Sequence, residues 1–198
     1  MLLALLWILP ATAQEPRTVL VVGDSLSAAY GLAAEDGWVA LTEERLGTEA
    51  PGWQLVNASI SGETSAGGKA RIVDALVRHR PRVVVIALGA NDGLRGLPVD
   101  TMRANLAWMI GAAHGAGARV VLVGMRMPPN LGPDYTRDFA ASYPLLADRF
   151  GTGLVPFLLE PIAMDRASFQ DDNLHPAADA QPTLRDHVWP ALSPLLRE

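Results

Sequence analysis

Apolar residues gather along the chain in five short runs, at positions 18–22, 54–56, 83–88, 120–123 and 154–157. The runs are rich in valine, leucine and isoleucine and lack the polar alternation of a half-exposed strand. They predict strands buried on both faces, hence a parallel sheet lying under helices. Between them the apolar spacing changes. Ile72, Val73, Leu76 and Val77 repeat at helical spacing ahead of Pro81, which forces an extended backbone. Asp36 is placed to cap a helix running toward Leu46, with Gly47 to stop it. Asp100 is placed to cap another through Ala113, and a fourth helical pattern spans 136–150. Strand and helix patterns alternate without repeat, low-complexity tract or linker. The chain reads as α/β, a single-domain three-layer α/β/α sandwich around a five-stranded parallel sheet. Two connections are longer than such a fold needs, 126–135 with three prolines and 158–175. Long loops in a compact domain are commonly functional.

Composition narrows the classes of partner. The 198 residues suit one domain with a full core, and 49% apolar against 19% charged residues excludes a disordered chain. Net charge is −5, and the 16 Lys and Arg form no cluster in the sequence. That argues against nucleic acid and against adhesion to anionic lipid. Cysteine is absent, so neither a disulfide nor a lipid-anchoring thiol is available, and a soluble product is expected. The histidines, at 79, 114, 175 and 187, show no metal-ligand spacing, and no cofactor is expected.

The first residues, MLLALLWILPATAQ, read as a targeting segment. Leu2 to Leu9 form an apolar run too short to span a membrane, and Ala11-Thr12-Ala13 is a small-x-small cleavage site. Residues 1–13 are expected to be a signal peptide and 14–198 the functional domain, exported to the periplasm or secreted, as a monomer without a membrane anchor.

The polar residues that interrupt the pattern collect where the strands should end. Gly23-Asp24-Ser25 follows the first, the segment from Asn57 to Thr64 the second, Gly89-Ala90-Asn91-Asp92-Gly93 the third, and Asp171-Asp172-Asn173-Leu174-His175 follows the last. Ligand sites in open parallel sheets lie outside these carboxyl ends. A hydroxyl, glycine amides, a carboxamide and an acid–imidazole pair at one edge suit acyl transfer. Ser25 is the candidate nucleophile, at an expected helix start. His175 is the candidate base, and Asp172 would fix its tautomer. The Ser25 and Gly62 amides with the Asn91 carboxamide form a candidate oxyanion hole. Spacing alone leaves Asp171 as a rival to Asp172.

"GDSL" at 23–26, the lone glycine in "NASISGET", "GAND" at 89–92 and "DNLH" at 172–175 resemble the four blocks of the SGNH/GDSL hydrolases, in order. Flanking stretches, "HRPRVVVIALGANDGLRGLP" among them, are similar to the branch known as acyl-CoA thioesterase I, arylesterase or lysophospholipase. The resemblance covers almost all of residues 18–198. It implies the flavodoxin-like SGNH hydrolase fold and an acyl-enzyme on Ser25, with Asp172 rather than Asp171 as partner of His175. By the same resemblance Gly62 and Asn91 would carry the family's oxyanion donors. Small-molecule acyl esters and thioesters are the implied substrates, from aryl esters and acyl-CoA to lysophospholipids, with carbohydrate O-acetyl esters as the alternative. Ala90 and Glu63 depart from the family's commoner glycine and aspartate.

The same residues admit competing readings. "GETSAGGKA" approaches a phosphate loop but has Glu63 and Ala70 where that pattern needs glycine and a hydroxyl residue. A non-catalytic module on the same fold is disfavoured by the intact set of reactive groups. His79, His114 and His187 read as structural or surface residues. Asn57-Ala58-Ser59 matches a glycosylation sequon but belongs to the second block. Met102, Trp108 and Met109 are expected in the core. The walls of an acyl groove are expected near 93–98 and 126–131.

Overall fold

The computed structural model describes residues 17–197; the expected signal peptide lies outside them. Five strands, β1 (Arg17–Gly23), β2 (Trp53–Asn57), β3 (Val83–Ala87), β4 (Arg119–Val123) and β5 (Gly153–Val155), pair in parallel in the order β2-β1-β3-β4-β5. This is the flavodoxin-like order. Every residue of β3 is buried, as are six of the seven in β1, as continuous apolar runs between two helical layers require. On one side α1 (Trp38–Glu49) packs against α6 (Gln181–Leu192). On the other, α2 (Ser65–His79), α4 (Val99–Gly115) and α5 (Pro133–Phe150) lie side by side.

Several boundaries differ from those the sequence predicts. Asp36 lies in a 3-10 turn (Ala34–Asp36), and Gly37 occupies the cap of α1. The amide of Trp38 is instead satisfied from α6, by the Gln181 side-chain oxygen at 2.9 Å. Gly47 is exposed within α1 and does not end it; a single exposed helical glycine costs about 1 kcal/mol, which tertiary packing overrides. Pro98, not Asp100, caps α4, and Asp100 pairs with Arg103 at 2.9 Å in the first turn. Helix α5 starts three residues before the predicted 136, at Pro133, whose fixed φ favours a first helical position. Met102 and Met109 are in the core, but Trp108 is 44% exposed beneath the Lys69 ammonium.

The chain leaves β1 toward β2 on one side of the sheet and leaves β3 toward β4 on the other. The connections after β1 and β3 therefore diverge, opening a crevice at their carboxyl ends. Ser25 stands after β1 and Asn91 after β3. No helix begins at Ser25, contrary to expectation: residues 25–31 form successive hydrogen-bonded turns, among them Ala28 N to Asp24 O and Tyr30 N to Ser25 O. Asn91 and Asp92 likewise lie in a short helix, α3 (Ala90–Leu94), rather than a loop.

Candidate active site

The turn after β1 brings Ser25 to the crevice half-buried. His175 arrives from the opposite end of the sequence, and the loop that carries it is pinned as a narrow hairpin. Phe169 bridges Pro176, Gln170 N donates to His175 O at 2.8 Å, and Ala177 N donates to Ser168 O at 2.8 Å. This places His175 Nε2 2.9 Å from Ser25 Oγ and Nδ1 2.6 Å from Asp172 Oδ2. With a proton on Nδ1 donated to Asp172, Nε2 is an acceptor for the serine hydroxyl.

Asp172 is itself held. Its Oδ1 accepts from the amides of Leu174 and His175, at 2.9 and 3.0 Å. The imidazole bond first, then these amides, lower its pKa to about 2, so it stays ionised at any working pH. Asp171 is exposed, and its backbone carbonyl rather than its carboxylate accepts from Asn173. Of the two neighbouring acids, Asp172 is the one whose carboxylate meets the imidazole.

Gly62 and Asn91 line the same crevice as Ser25 and His175. Gly62 has φ +79°, a backbone conformation open to glycine, and its carbonyl accepts from Arg95 at 2.8 Å. The Asn91 Nδ2 donates to Glu63 O at 3.1 Å and to Asp24 Oδ2 at 3.3 Å. Glu63 in turn is tied through its carboxylate to Arg71.

Three features of the site were not singled out in the sequence. Asp24 is 1% exposed, beside the serine, and burial raises its pKa to about 6 against the opposing bonds from Leu26 N and Asn91. Tyr30 lies over the imidazole with ring centroids 4.4 Å apart. The Gln170 amide donates to the carbonyls of Tyr30 and Pro176, at 2.8 and 3.1 Å, tying the serine turn to the histidine loop. "DSLSAAYG" contained the first two, but a polar residue in a turn gives no sign of burial, and a lone tyrosine none of stacking.

The crevice continues into a cavity of about 730 Å³. Its walls include Leu94, Arg126, Met127 and Pro128 from the two expected segments. They also include Phe157, Leu159, Met164, Phe169 and Leu174, from the long loop and its approach, which the sequence reading missed. A larger concavity, about 1,120 Å³, at the other end of the sheet is lined by Arg17, Arg80, Arg82 and Arg119 and holds no serine or histidine.

The remaining candidates fall elsewhere. His187 bonds to the Phe157 carbonyl, His114 is exposed edge-on to Phe150, and His79 ends α2. Asn57 uses its carboxamide on Ser27 O and Ser59 N, within the second block. Gly67 and Gly68 lie inside α2, so the stretch that approached a phosphate loop forms no loop.

The sequence profile of the GDSL-like lipase/acylhydrolase family matches residues 21–181. The chain belongs to this family. Within the GDSL-like family it is 49% identical over 180 residues to esterase TesA of Pseudomonas aeruginosa, covering 91% of this chain and 90% of that one. It is 40% identical over 183 residues to thioesterase 1/protease 1/lysophospholipase L1 of Escherichia coli, covering 90% of this chain and 85% of the other. The fold matches the crystal structure of the psychrotrophic esterase EstA from Pseudoalteromonas sp., inhibited by monoethylphosphonate. The TM-score is 0.86 at 40% identity, over 92% of this chain and all of that one. The GDSL-like hydrolase fold and an ester-hydrolysing activity thus agree with the expectations drawn from the four blocks.

Proposed function

We propose that the protein is a serine esterase and thioesterase that forms an acyl-enzyme on Ser25. His175 Nε2 takes the Ser25 proton as Oγ attacks the acyl carbonyl, and the ionised Asp172 stabilises the resulting imidazolium. The negative charge on the carbonyl oxygen is met by the amides of Ser25 and Gly62 and by the Asn91 carboxamide, which exchanges its longer bond, to Asp24, for the oxyanion. His175 then returns the proton to the leaving alcohol or thiol. Water, activated by the same imidazole, releases the acid.

The observation that carries this reading is the unbroken chain from Ser25 Oγ through His175 to Asp172, opening on an apolar cavity. The cavity favours acyl esters, acyl thioesters and lysophospholipids over O-acetylated sugars, because an acetyl group would leave most of its apolar wall uncovered. The relatives named esterase and thioesterase support the same choice. Export with loss of residues 1–13, action in the periplasm or outside the cell, and a monomeric state complete the proposal.

Hydrolysis of p-nitrophenyl esters of graded chain length tests it. Each methylene buried is worth up to about 0.8 kcal/mol, about fourfold in kcat/KM. Activity should therefore climb beyond the acetate until the cavity is filled, and Ser25→Ala should abolish it at every length. A profile that peaks at acetate favours the sugar O-acetyl esterase, and activity retained by Ser25→Ala refutes the acyl-enzyme.

A further inference from the structure

Behind the candidate oxyanion donors lies a buried polar group that touches neither Ser25 nor His175. Asp92, Ser65 and Asn105 are 3%, 0% and 6% exposed. Asp92 follows Asn91 in α3, Ser65 opens α2 three residues after Gly62, and Asn105 belongs to α4. The Asp92 carboxylate accepts from Ser65 N at 2.7 Å and from Ser65 Oγ at 2.6 Å. Ser65 Oγ accepts in turn from Asn105 Nδ2 at 3.1 Å. Both donors on Ser65 are engaged by one carboxylate.

The N-terminus of α2 could have been satisfied locally. Thr64 stands at the cap, yet its side chain makes no capping bond, and an acid from a different connection takes the first amide. Burying a carboxylate and a hydroxyl is costly unless both are bonded. A local cap or an apolar contact at this place would serve stability with less risk. What the cross-connection adds is register. One rigid pair of bonds joins the segment bearing Gly62 to the segment bearing Asn91. The Asn91–Glu63 bond closes the loop on the crevice side.

We infer that Asp92, Ser65 and Asn105 are positioning residues which hold the Gly62 and Asn91 donors at their working separation. The inference rests on the oxyanion role proposed above for those two residues. Donors arriving on separate connections need such a brace, because a displacement near 1 Å costs about 10²-fold in rate. The loss should fall on kcat, since an oxyanion donor acts mainly in the transition state.

The test is a mutant cycle with a p-nitrophenyl ester as substrate. Ser65→Ala should lower kcat by about 10- to 100-fold while KM moves less than about threefold. Asn91→Ala alone should lower kcat by about 10²- to 10³-fold. In the Asn91→Ala protein, adding Ser65→Ala should cost less than about threefold, because the separation between two donors that the brace fixes has no effect once one of them is gone. A residue that merely supports the fold gives losses that multiply. Asn105→Ala, which leaves the Ser65–Asp92 bonds in place, should fold even if Ser65→Ala does not, and should lower kcat by roughly two- to tenfold through the same brace. Multiplying losses, or an unchanged kcat in folded Ser65→Ala or Asn105→Ala, overturn the inference alone. An Asn91→Ala protein with unchanged kcat removes the oxyanion reading and the inference with it.

Discussion

Asp24→Asn should uncouple much of the protein's stability from pH. Burial raises the folded-state pKa of Asp24 from 3.8 to about 6, even though Leu26 N and Asn91 Nδ2 donate to the carboxylate. Between those values the folded protein holds a proton that the unfolded chain has released. Stability therefore falls as pH rises through this window and is flat above it, the reverse of a paired surface acid. A shift near two units is about 3 kcal/mol in full, of which about 2 kcal/mol is lost between pH 4.5 and pH 8. Asparagine keeps an acceptor for Leu26 N but presents its own amide toward Asn91, so the variant carries a constant offset of its own. The offset does not matter, because the quantity predicted is a slope. Urea unfolding of both proteins from pH 4.5 to 8 should show the variant gaining on the wild type by about 2 kcal/mol. A difference that stays flat, or shrinks as pH rises, refutes the assignment of a raised pKa to Asp24.

Three further outcomes follow from the same geometry. Asp172→Asn should lose about 10⁴-fold in kcat by leaving the imidazole in the wrong tautomer, whereas Asp171→Asn should stay within about threefold; steady-state kinetics on an aryl ester would falsify the assignment by reversing that order. Tyr30→Leu removes the ring over His175, and kcat should drop by about tenfold while Tyr30→Phe matches the wild type; equal rates in all three leave the ring with no part in positioning His175. Intact mass of protein recovered from the periplasm or medium should begin at Gln14 and carry no lipid, and retention of residues 1–13 contradicts the cleavage site.

Buried strands and reactive loops could be read from the sequence because both are local. Five continuous apolar runs can hardly be anything but parallel strands, and the four polar blocks sit directly after their ends. Helix boundaries were less legible where a cap comes from a distance. Asp36 and Asp100 looked like caps because a capping rule sees only neighbours in sequence. In the structure Gln181 satisfies the start of α1 and Asp92 the start of α2, and no local pattern announces either. Trp108 is exposed despite its apolar character for a related reason, since that character alone does not say which helix face meets the sheet. The stretch 158–175 stands out in the sequence for its length, but its part in the cavity wall depends on its bringing Leu159, Met164, Phe169 and Leu174 to the same cavity as Met125 and Met127. Asp24 shows the same limit most sharply: an acid in a turn reads as solvated, and only the packed structure shows it buried.

The central claim is that Ser25 is the nucleophile, activated by His175, and covalent labelling tests it most directly. Protein treated with a p-nitrophenyl phosphonate should gain one phosphonyl unit as hydrolysis stops, and peptide mapping should place it on Ser25. Ser25→Ala should take up none, and His175→Ala should label slowly, because the serine hydroxyl then lacks its base. Stoichiometric labelling of another residue, or inactivation of the wild type without any adduct, would contradict the account.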